Sequence, residues 1–131
     1  MLNIKNTTRK KNPSLPFQKI QEEILGKKYE LSLVFIGDKL SRKLNKEYRK
    51  NLPAGRQVDK PTNILTFPLS KSAGEIFINL NLAKKQAPKF DRNYTNFIGF
   101  LLIHGLVHLK GYQHSSKMER EEKKIRKIFN I

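Results

Sequence analysis

The pattern of hydrophobic and polar positions along this chain predicts strands and helices in the order β-α-β-α-β-β-α-α. Apolar residues that recur at every second position indicate a strand, and recurrence at every third or fourth position indicates a helix. The predicted strands are 2–6, 29–35, 63–67 and 75–80. One predicted helix begins after Ser14, and the other three span 38–49, 91–110 and 116–129. The short connection between the third and fourth strands contains Pro and Gly and favours an antiparallel pair.

Residues that cap helices separate these elements and complete the predicted fold. Ser14 and Asp38 are residue types that favour helix N-termini. Ser116 and Glu119 have the spacing of a capping box for the last helix. We therefore predict an α+β fold, with one small mixed sheet of about four strands packed against helices, in a single domain over residues 1–131.

Composition narrows the choice of partner and compartment. Against 11 Asp and Glu the chain carries 27 Lys and Arg, and this formal net charge of +16 suggests a polyanionic partner such as nucleic acid or an anionic surface. A lysine-rich solvated surface would explain the same charge. Because the chain has no cysteine, a bound metal must use nitrogen or oxygen ligands. The N-terminus lacks the apolar run of a signal peptide and the apolar run 97–103 is too short to span a membrane, so we expect a soluble cytoplasmic protein.

All three histidines of the chain lie in the segment HGLVHLKGYQH, residues 104–114. His104 and His108 continue the core-facing side of the predicted long helix, because steps of three and four residues return to the same side. Gly111 can adopt the conformation that ends the helix, and the following turn can bring His114 beside the other two. Three imidazoles at this spacing predict a zinc site with one open coordination position. The alternative is a set of histidines that only form hydrogen bonds in the core and on the surface.

The spacing H-x3-H-x2-G-x2-H is also that of metzincin peptidases, in which the residue after the first histidine is a glutamate that acts as general base. In this chain the corresponding residue is Gly105. A glycine cannot accept the proton of a metal-bound water, so the metal-binding pattern is present without the proteolytic base. A peptidase is therefore the less favoured hypothesis.

The same segment resembles the signature of the YbeY family, H-G-x-L-H-L-x-G-Y-D-H. Three more blocks resemble the family's other motifs in the same order: LNKEYR (44–49), DKPTNILTFP (59–68) and GEIFINL (74–80). This resemblance implies a zinc-bound α/β fold and a metal-dependent endonuclease specific for single-stranded RNA. It also implies a role in maturation of ribosomal RNA, especially at the 3′ end of the small-subunit RNA, and in ribosome quality control.

By match of position, the resemblance implies that His104, His108 and His114 bind one zinc ion and that Arg49 is a functional residue near it. The guanidinium of Arg49 has a planar set of donors that suits a phosphate group. Without the resemblance, an arginine at the end of a helix is explained by its favourable interaction with the helix dipole. We expect Arg49 to hold the phosphate that is cleaved.

Other residues near these motifs have two possible roles, one functional and one structural. Thr62 and Asn63 could line the same cleft and contact substrate, or they could form an ordinary turn before a strand. Tyr112 could stack against an RNA base, or it could close the metal loop by packing. The general base is not identified. Glu75 is a candidate by its position in the chain, and an exposed carboxylate at a strand edge is the alternative.

Three features depart from the family pattern. Gln113 stands where the family usually has aspartate, so a carboxylate that could orient a ligand is replaced by a neutral amide. Residues 52–58, LPAGRQV, resemble an insertion, which a surface loop accepts easily. The segment after His114 is shorter than is usual in the family and leaves one terminal helix.

From these features we expect a zinc-dependent endoribonuclease that hydrolyses a phosphodiester with water activated by the metal. The expected partners are single-stranded ribosomal RNA and the small ribosomal subunit or its proteins, without a membrane or a small-molecule cofactor. The alternative is a zinc-stabilised factor that binds RNA or the ribosome without turnover. This alternative is favoured by the fact that the motifs supply no general base.

Overall fold

The computed structural model of the chain describes residues 1–49 and 60–131, with Arg49 described only by its place in a helix. The strands are β1 (Leu2–Asn6), β2 (Glu30–Ile36), β3 (Ile64–Ser70) and β4 (Ala73–Asn79). The helices are α1 (Phe17–Leu25), α2 (Asp38–Arg49), α3 (Leu80–Gln86), α4 (Tyr94–Leu109) and α5 (Ser116–Phe129), with a 3₁₀ turn (Ala87–Phe90) before α4. The predicted α+β class with a small mixed sheet of about four strands is confirmed.

The four strands form one mixed sheet in the order β1-β2-β4-β3. β1 pairs parallel with β2, and β2 pairs parallel with β4, with Ile4 paired with Leu33 and Leu33 with Ile76. β3 pairs antiparallel with β4, as the short connection between them predicted. β3 therefore forms one edge of the sheet, and this edge borders the three histidines.

Helix α4 lies across the sheet and supplies much of the hydrophobic core. Most of its side chains are apolar, and nine of its residues are buried: Phe97, Ile98, Gly99, Leu101, Leu102, Ile103, Gly105, Leu106 and Val107. At Gly105 the helix comes so close to β3 that a Cβ atom would lie 2.9 Å from both Ile64 Cδ1 and Thr66 Cγ2. Position 105 therefore faces the sheet, and α4 packs this closely on β3 because the residue has no side chain.

The segment between β4 and α4 was not predicted as helical. Asn79 ends β4 and caps α3 by accepting a hydrogen bond from the backbone N of Leu82 at 3.1 Å. The helix after it begins at Tyr94, where the Asn93 side chain accepts from the backbone N of Asn96 at 2.8 Å. The predicted start at Asp91 is wrong, because Asp91 adopts a left-handed conformation (φ 54°) that ends the 3₁₀ turn.

Two of the predicted helix caps are also wrong at the N-terminal side of the chain. Helix α1 begins after Pro16 and has no side-chain cap, so Ser14 does not serve that purpose. Asp38 is the first residue inside α2 and accepts hydrogen bonds from Asn79 Nδ2 at 2.8 Å and Asn81 Nδ2 at 2.6 Å. The bond from Asn79 is the main cause that lowers the pKa of Asp38 below its ordinary value. Asp38 therefore joins α2 to the region where β4 meets α3.

At the last helix the cap lies one residue earlier than predicted. Ser115 accepts a hydrogen bond from the backbone N of Met118 at 3.2 Å, so the predicted capping box of Ser116 and Glu119 does not form. None of the helices in the described part of the chain is long and apolar enough to cross a membrane.

Candidate metal centre

The C-terminal end of α4 and the turn after it bring the three histidines together. His104 and His108 lie one helical turn apart on α4, which ends at Leu109. Gly111 has a φ of 115°, which favours glycine, and it lets the chain turn back so that His114 reaches the other two. One possible ligand atom of each imidazole lies within 4.8 Å of those of the other two, so the three side chains could hold a metal ion.

Protein oxygens orient the two imidazoles on α4. The Nδ1 atom of His104 lies 2.8 Å from Oε1 of Glu122, and Nδ1 of His108 lies 3.1 Å from the carbonyl oxygen of Tyr112. A carbonyl or carboxylate oxygen can only accept, so Nδ1 donates in both bonds and the lone pair is on Nε2. This is the arrangement that orients histidine ligands in metal sites, so the residues present fit a metal ion.

Burial also favours the form of the imidazole that binds metal. His108 is half-buried, and desolvation lowers its pKa below the ordinary value, although the hydrogen bond to the Tyr112 carbonyl opposes this effect. The charges that His104 and His114 carry when protonated lower the pKa of His108 further. A neutral imidazole is the form that coordinates a metal.

Glu122 is the residue of this centre that sequence reasoning missed. It lies on α5 and is buried together with Met118 and Ile125, four positions before it and three after it. A carboxylate is rarely buried without a partner, so an acidic residue on the apolar side of a helix is a signal of a buried ion pair or hydrogen bond. The predicted helix contained this signal, but the sequence did not show which histidine Glu122 would contact.

An open cleft runs past the histidines on both sides. Its α5 side has a volume of about 640 Å³ and its β3 side about 470 Å³, and the two share Ile64, His104 and His114. The α5 side is lined further by aromatic residues of α4 and the 3₁₀ turn and by polar residues of α5 and its N-cap: Phe90, Phe97, Phe100, Ser115, Glu119, Glu122 and Arg126. The β3 side is lined further by Tyr48, Leu65, Thr66, Pro68 and His108. An extended ligand could pass along this cleft over the three imidazoles.

The predicted substrate contacts occupy different places around this cleft. Asn63 lines the α5 side, where its Nδ2 donates to Gln86 Oε1 at 2.9 Å. Thr62 is fixed against α2, because its backbone N donates to Ser41 Oγ at 2.8 Å and its carbonyl accepts from that hydroxyl at 2.6 Å. The ring of Tyr112 packs against the hydrophobic core, and its carbonyl is the group that orients His108.

The remaining predictions fall outside the centre or outside the described residues. Arg49 is the last residue of α2 and follows Tyr48, which lines the β3 side of the cleft, but the Arg49 side chain lies outside the described residues. The insertion at 52–58 also lies outside them. Glu75 lies beside Glu47 and Tyr48, on the sheet face opposite to Ile76, whose side chain approaches α4 at Gly105. The structure therefore removes Glu75 from the set of candidate bases.

The structure adds a physical reason why a peptidase base is absent. The residue after His104 is Gly105, and any side chain at this position would point towards Ile64 and Thr66 of β3. A glutamate at this position would be driven into the sheet, away from the cleft. The histidine pattern of the peptidases is therefore combined with a helix packing that excludes their catalytic residue.

Comparison with known proteins connects this centre to one family. The model of the family described as Endoribonuclease YbeY matches residues 3–130. The Endoribonuclease YbeY of Acholeplasma laidlawii is 34% identical over 110 residues, which cover 81% of this chain and 72% of the relative. That of Aquifex aeolicus is 37% identical over 107 residues, covering 77% of this chain and 66% of the relative.

The fold has also been seen in a solved structure. The solution structure of a protein from Thermotoga maritima matches with a TM-score of 0.69 and covers 99% of this chain and 90% of its own. At 24% sequence identity, that match shows the fold alone. The family match extends over nearly the whole chain and includes all three histidines. The chain therefore belongs to the YbeY family of endoribonucleases.

Proposed function

We propose that this protein is a zinc-dependent endoribonuclease, specific for single-stranded RNA, that matures the 3′ end of the small-subunit ribosomal RNA and acts in ribosome quality control in the cytoplasm. The observation that carries this proposal is the convergence of three imidazoles, two of them oriented by protein oxygens, in a chain of an endoribonuclease family. In the proposal the whole chain, residues 1–131, forms one catalytic domain.

His104, His108 and His114 would hold one zinc ion per chain. Three nitrogen ligands without cysteine are a donor set that suits catalytic zinc and leaves a coordination position for a further ligand. A zinc ion held there would supply hydrolytic chemistry by lowering the pKa of water, which would give a nucleophile at neutral pH. Glu122 and the Tyr112 carbonyl keep two of the imidazoles in the tautomer and orientation that binding requires.

Arg49 and the cleft would position the RNA. Arg49 ends α2 next to Tyr48, which lines the β3 side of the cleft, and we assign its guanidinium to the scissile phosphate. Thr62, Asn63 and Tyr112 are assigned to substrate binding, directly or by shaping the cleft. The net charge of +16 supports a polyanionic partner, and we propose ribosomal RNA and the small ribosomal subunit or its proteins.

The proposal is tested by cleavage of one labelled single-stranded RNA by the zinc-loaded wild type, Arg49→Glu and His114→Ala, all purified identically. We expect slow cleavage by the wild type and a large loss in both variants, with the zinc content of Arg49→Glu unchanged. Lys39→Glu is the matched control, because it makes the same charge change on α2 ten residues away, about 15 Å along the helix. This control should cleave like the wild type.

Two further substrates complete the test. Duplex RNA should resist, because unpairing would be needed before a strand can enter the cleft. Casein should not be cut, since Gly105 supplies no general base for peptide hydrolysis. Equal residual cleavage of the single-stranded RNA in all variants would indicate a contaminating ribonuclease and would overturn the assignment.

A second candidate function is a zinc-stabilised factor that binds RNA or the ribosome without turnover. The observation that favours it concerns the general base. The carboxylates in the described lining of the cleft are Glu119 and Glu122. Glu122 is engaged by His104 and Glu119 is exposed, so neither is a buried, unengaged carboxylate that would serve as the base. Loss of RNA binding in Arg49→Glu, together with no cleavage by the wild type at any zinc concentration, would establish this function.

A further inference from the structure

Three aromatic rings form a cluster at the end of the α5 side of the cleft. The centroid of the Phe90 ring lies 4.9 Å from that of Phe97 in a stacked geometry, and Phe97 is stacked on Phe100 at 5.8 Å. Phe97 is buried, whereas 50% of Phe90 is exposed. The cluster therefore fixes Phe90 in place while leaving much of this residue in contact with solvent.

Two guanidinium groups lie against the same cluster. The Cζ atom of Arg92 is 4.4 Å from the Phe100 ring centroid and that of Arg126 is 5.2 Å from it. Arg92 is held in place, because it donates to the Asn96 side chain and to the carbonyl oxygen of Ile131. For Arg126, no carboxylate within 1–49 or 60–131 lies at ion-pair distance, so its positive charge is not neutralised by a described residue.

The cluster and the histidines share one continuous space. Phe90, Phe100, Arg126, His104 and His114 all line the α5 side of the cleft. Phe100 and His104 are four residues apart on α4, about 6 Å along the helix axis. A ligand that passes over the histidines can therefore extend along the same space to the exposed part of Phe90.

We propose that Phe90 and Arg126 form a subsite for one unpaired RNA base and its phosphate, beside the position of cleavage. The base stacks on the exposed part of Phe90, and Arg126 binds the adjoining phosphate. This inference rests on the proposed function, because it names a part of the substrate that the same cleft binds.

The charges along the cleft favour an unpaired base over the sugar-phosphate backbone on the floor of this subsite. Glu119 and Glu122 line the same space, and their carboxylates would repel a phosphate between them and the aromatic cluster. A neutral base can enter there, and its phosphate can remain near Arg126 at the edge. Stacking also requires a base that is free of its partner strand, so this subsite supplies a physical basis for single-strand preference.

The stacking half of the subsite is tested with three variants of the zinc-loaded protein: Phe90→Leu, Phe90→Trp and Ile128→Ala. Phe90→Leu keeps an apolar side chain against Phe97 but removes the aromatic face. Ile128→Ala is the control for lost exposed apolar surface, since Ile128 is 53% exposed and lies on α5 outside the described lining of the cleft. The probe is a fluorescein-labelled single-stranded RNA, intact or with one abasic position moved along the strand, and fluorescence anisotropy gives its Kd.

We expect Phe90→Leu to weaken binding of the intact RNA about tenfold, as expected for loss of one stacked base. Phe90→Trp should bind at least as well as the wild type, and Ile128→Ala should bind like it. In the wild type one abasic position should weaken binding by a similar factor, and this penalty should be absent in Phe90→Leu. Such loss of a position-specific penalty would not result from a general loss of stability.

The phosphate half is tested by the salt dependence of Kd for Arg126→Gln beside Arg120→Gln. Arg120 is exposed on the same helix and does not belong to the described lining of the cleft. Arg126→Gln should reduce the slope of log Kd against log salt by about one, because one phosphate contact is lost. Arg120→Gln should leave the slope unchanged.

The outcomes separate the subsite from the proposed activity. Equal Kd values for wild type, Phe90→Leu and Ile128→Ala would overturn the subsite even if the wild type cleaves RNA. Absence of RNA binding by the wild type would overturn it as well. Aromatic-dependent binding without cleavage would instead support the subsite and contradict the enzymatic proposal.

Discussion

The two histidines on α4 differ from His114 in how the protein holds them. His104 and His108 are half-buried on a rigid helix, and each donates its Nδ1 hydrogen to a protein oxygen. His114 is exposed and follows a turn, and no hydrogen bond to its imidazole is found within the described parts of the chain. The centre therefore combines two oriented ligands with one whose position depends on the conformation of a turn.

This difference indicates that the metal affinity has two separate sources. The first is pre-organisation, since the helix, Glu122 and the Tyr112 carbonyl fix two imidazoles before a metal arrives. The second is the turn, which determines how much of the time His114 is in place. Substitutions that act on each source should reduce metal binding by different amounts.

The largest effect is expected from His108→Ala. The His108 ring centroid lies 4.6 Å from that of His104 and 4.5 Å from that of His114, whereas the centroids of those two lie 5.3 Å apart, so the substitution removes the ligand that is nearest to both others. We expect about one zinc per chain in the wild type and a loss of affinity beyond the roughly 100-fold that supporting residues produce. Metal analysis and competition with a chromogenic chelator measure both quantities.

His114→Ala is the comparison that can break this account. It leaves the two oriented imidazoles on α4 in place, so it should keep more zinc affinity than His108→Ala. Equal losses in the two variants would show that the helix pair has no advantage over the turn, and full zinc retention in His108→Ala would exclude the site.

Glu122→Gln should produce the next largest effect. The amide cannot accept from His104 with the strength of a carboxylate, so the imidazole loses orientation and basicity, and zinc affinity should fall about 10- to 100-fold. Glu121→Gln is the matched control on the same helix, because Glu121 lies 3.7 Å from Lys110 instead of a histidine. Isothermal titration with zinc distinguishes them. An identical zinc affinity in the two variants would mean that the bond from His104 contributes nothing to metal binding.

These effects depend on contacts that the sequence could and could not predict. The order of the long elements, the antiparallel β3–β4 pair and the three-histidine cluster were predictable, because periodicity and the spacing around Gly111 are local properties. Helix α3 was not predicted, since seven residues are too short for a clear period and its cap, Asn79, also ends a strand. Local pattern therefore determined the long elements but not the short ones.

The partners of the histidines could not be predicted in the same way. Glu122 is 18 residues from His104 in sequence, and only the packing of α5 on α4 shows that they meet. Glu75 was proposed from chain position, but strand alternation placed it on the opposite face of the sheet. Ligands within one helix and turn follow from sequence, whereas the groups that support them come from tertiary packing.

Gly111→Ala tests the turn directly and should have a smaller effect on zinc. At a φ of 115° a Cβ atom strains the backbone, and we expect a loss of about 1–2 kcal/mol in unfolding free energy. Since the turn positions His114, zinc affinity should also fall, by about tenfold, close to the lower end for a supporting group. Calorimetry and zinc titration measure the two effects.

Gly26→Ala is the matched control for this backbone strain. Gly26 has a φ of 87° and ends α1, and like Gly111 it has no atoms within 4 Å of the position of an added Cβ. It should lose stability to a similar extent while keeping the zinc affinity of the wild type. If both variants lose zinc equally, the effect comes from general destabilisation and not from the position of His114.

The smallest effect is expected from Gln113→Asp, which restores the residue usual in the family next to the less constrained ligand. Gln113 is exposed, and its backbone carbonyl accepts from Ser115 Oγ at 3.0 Å. This bond does not involve the Gln113 side chain, so a substitution there leaves it in place. A carboxylate there could accept from the imidazole of His114 and orient it, but solvent would weaken the bond, so zinc affinity should rise by at most about tenfold. Zinc titration of Gln113→Asp beside Gln113→Asn separates charge from side-chain length. An increase confined to the aspartate would show that His114 lacks an orienting carboxylate, whereas unchanged affinity in both would show that the turn alone holds this ligand.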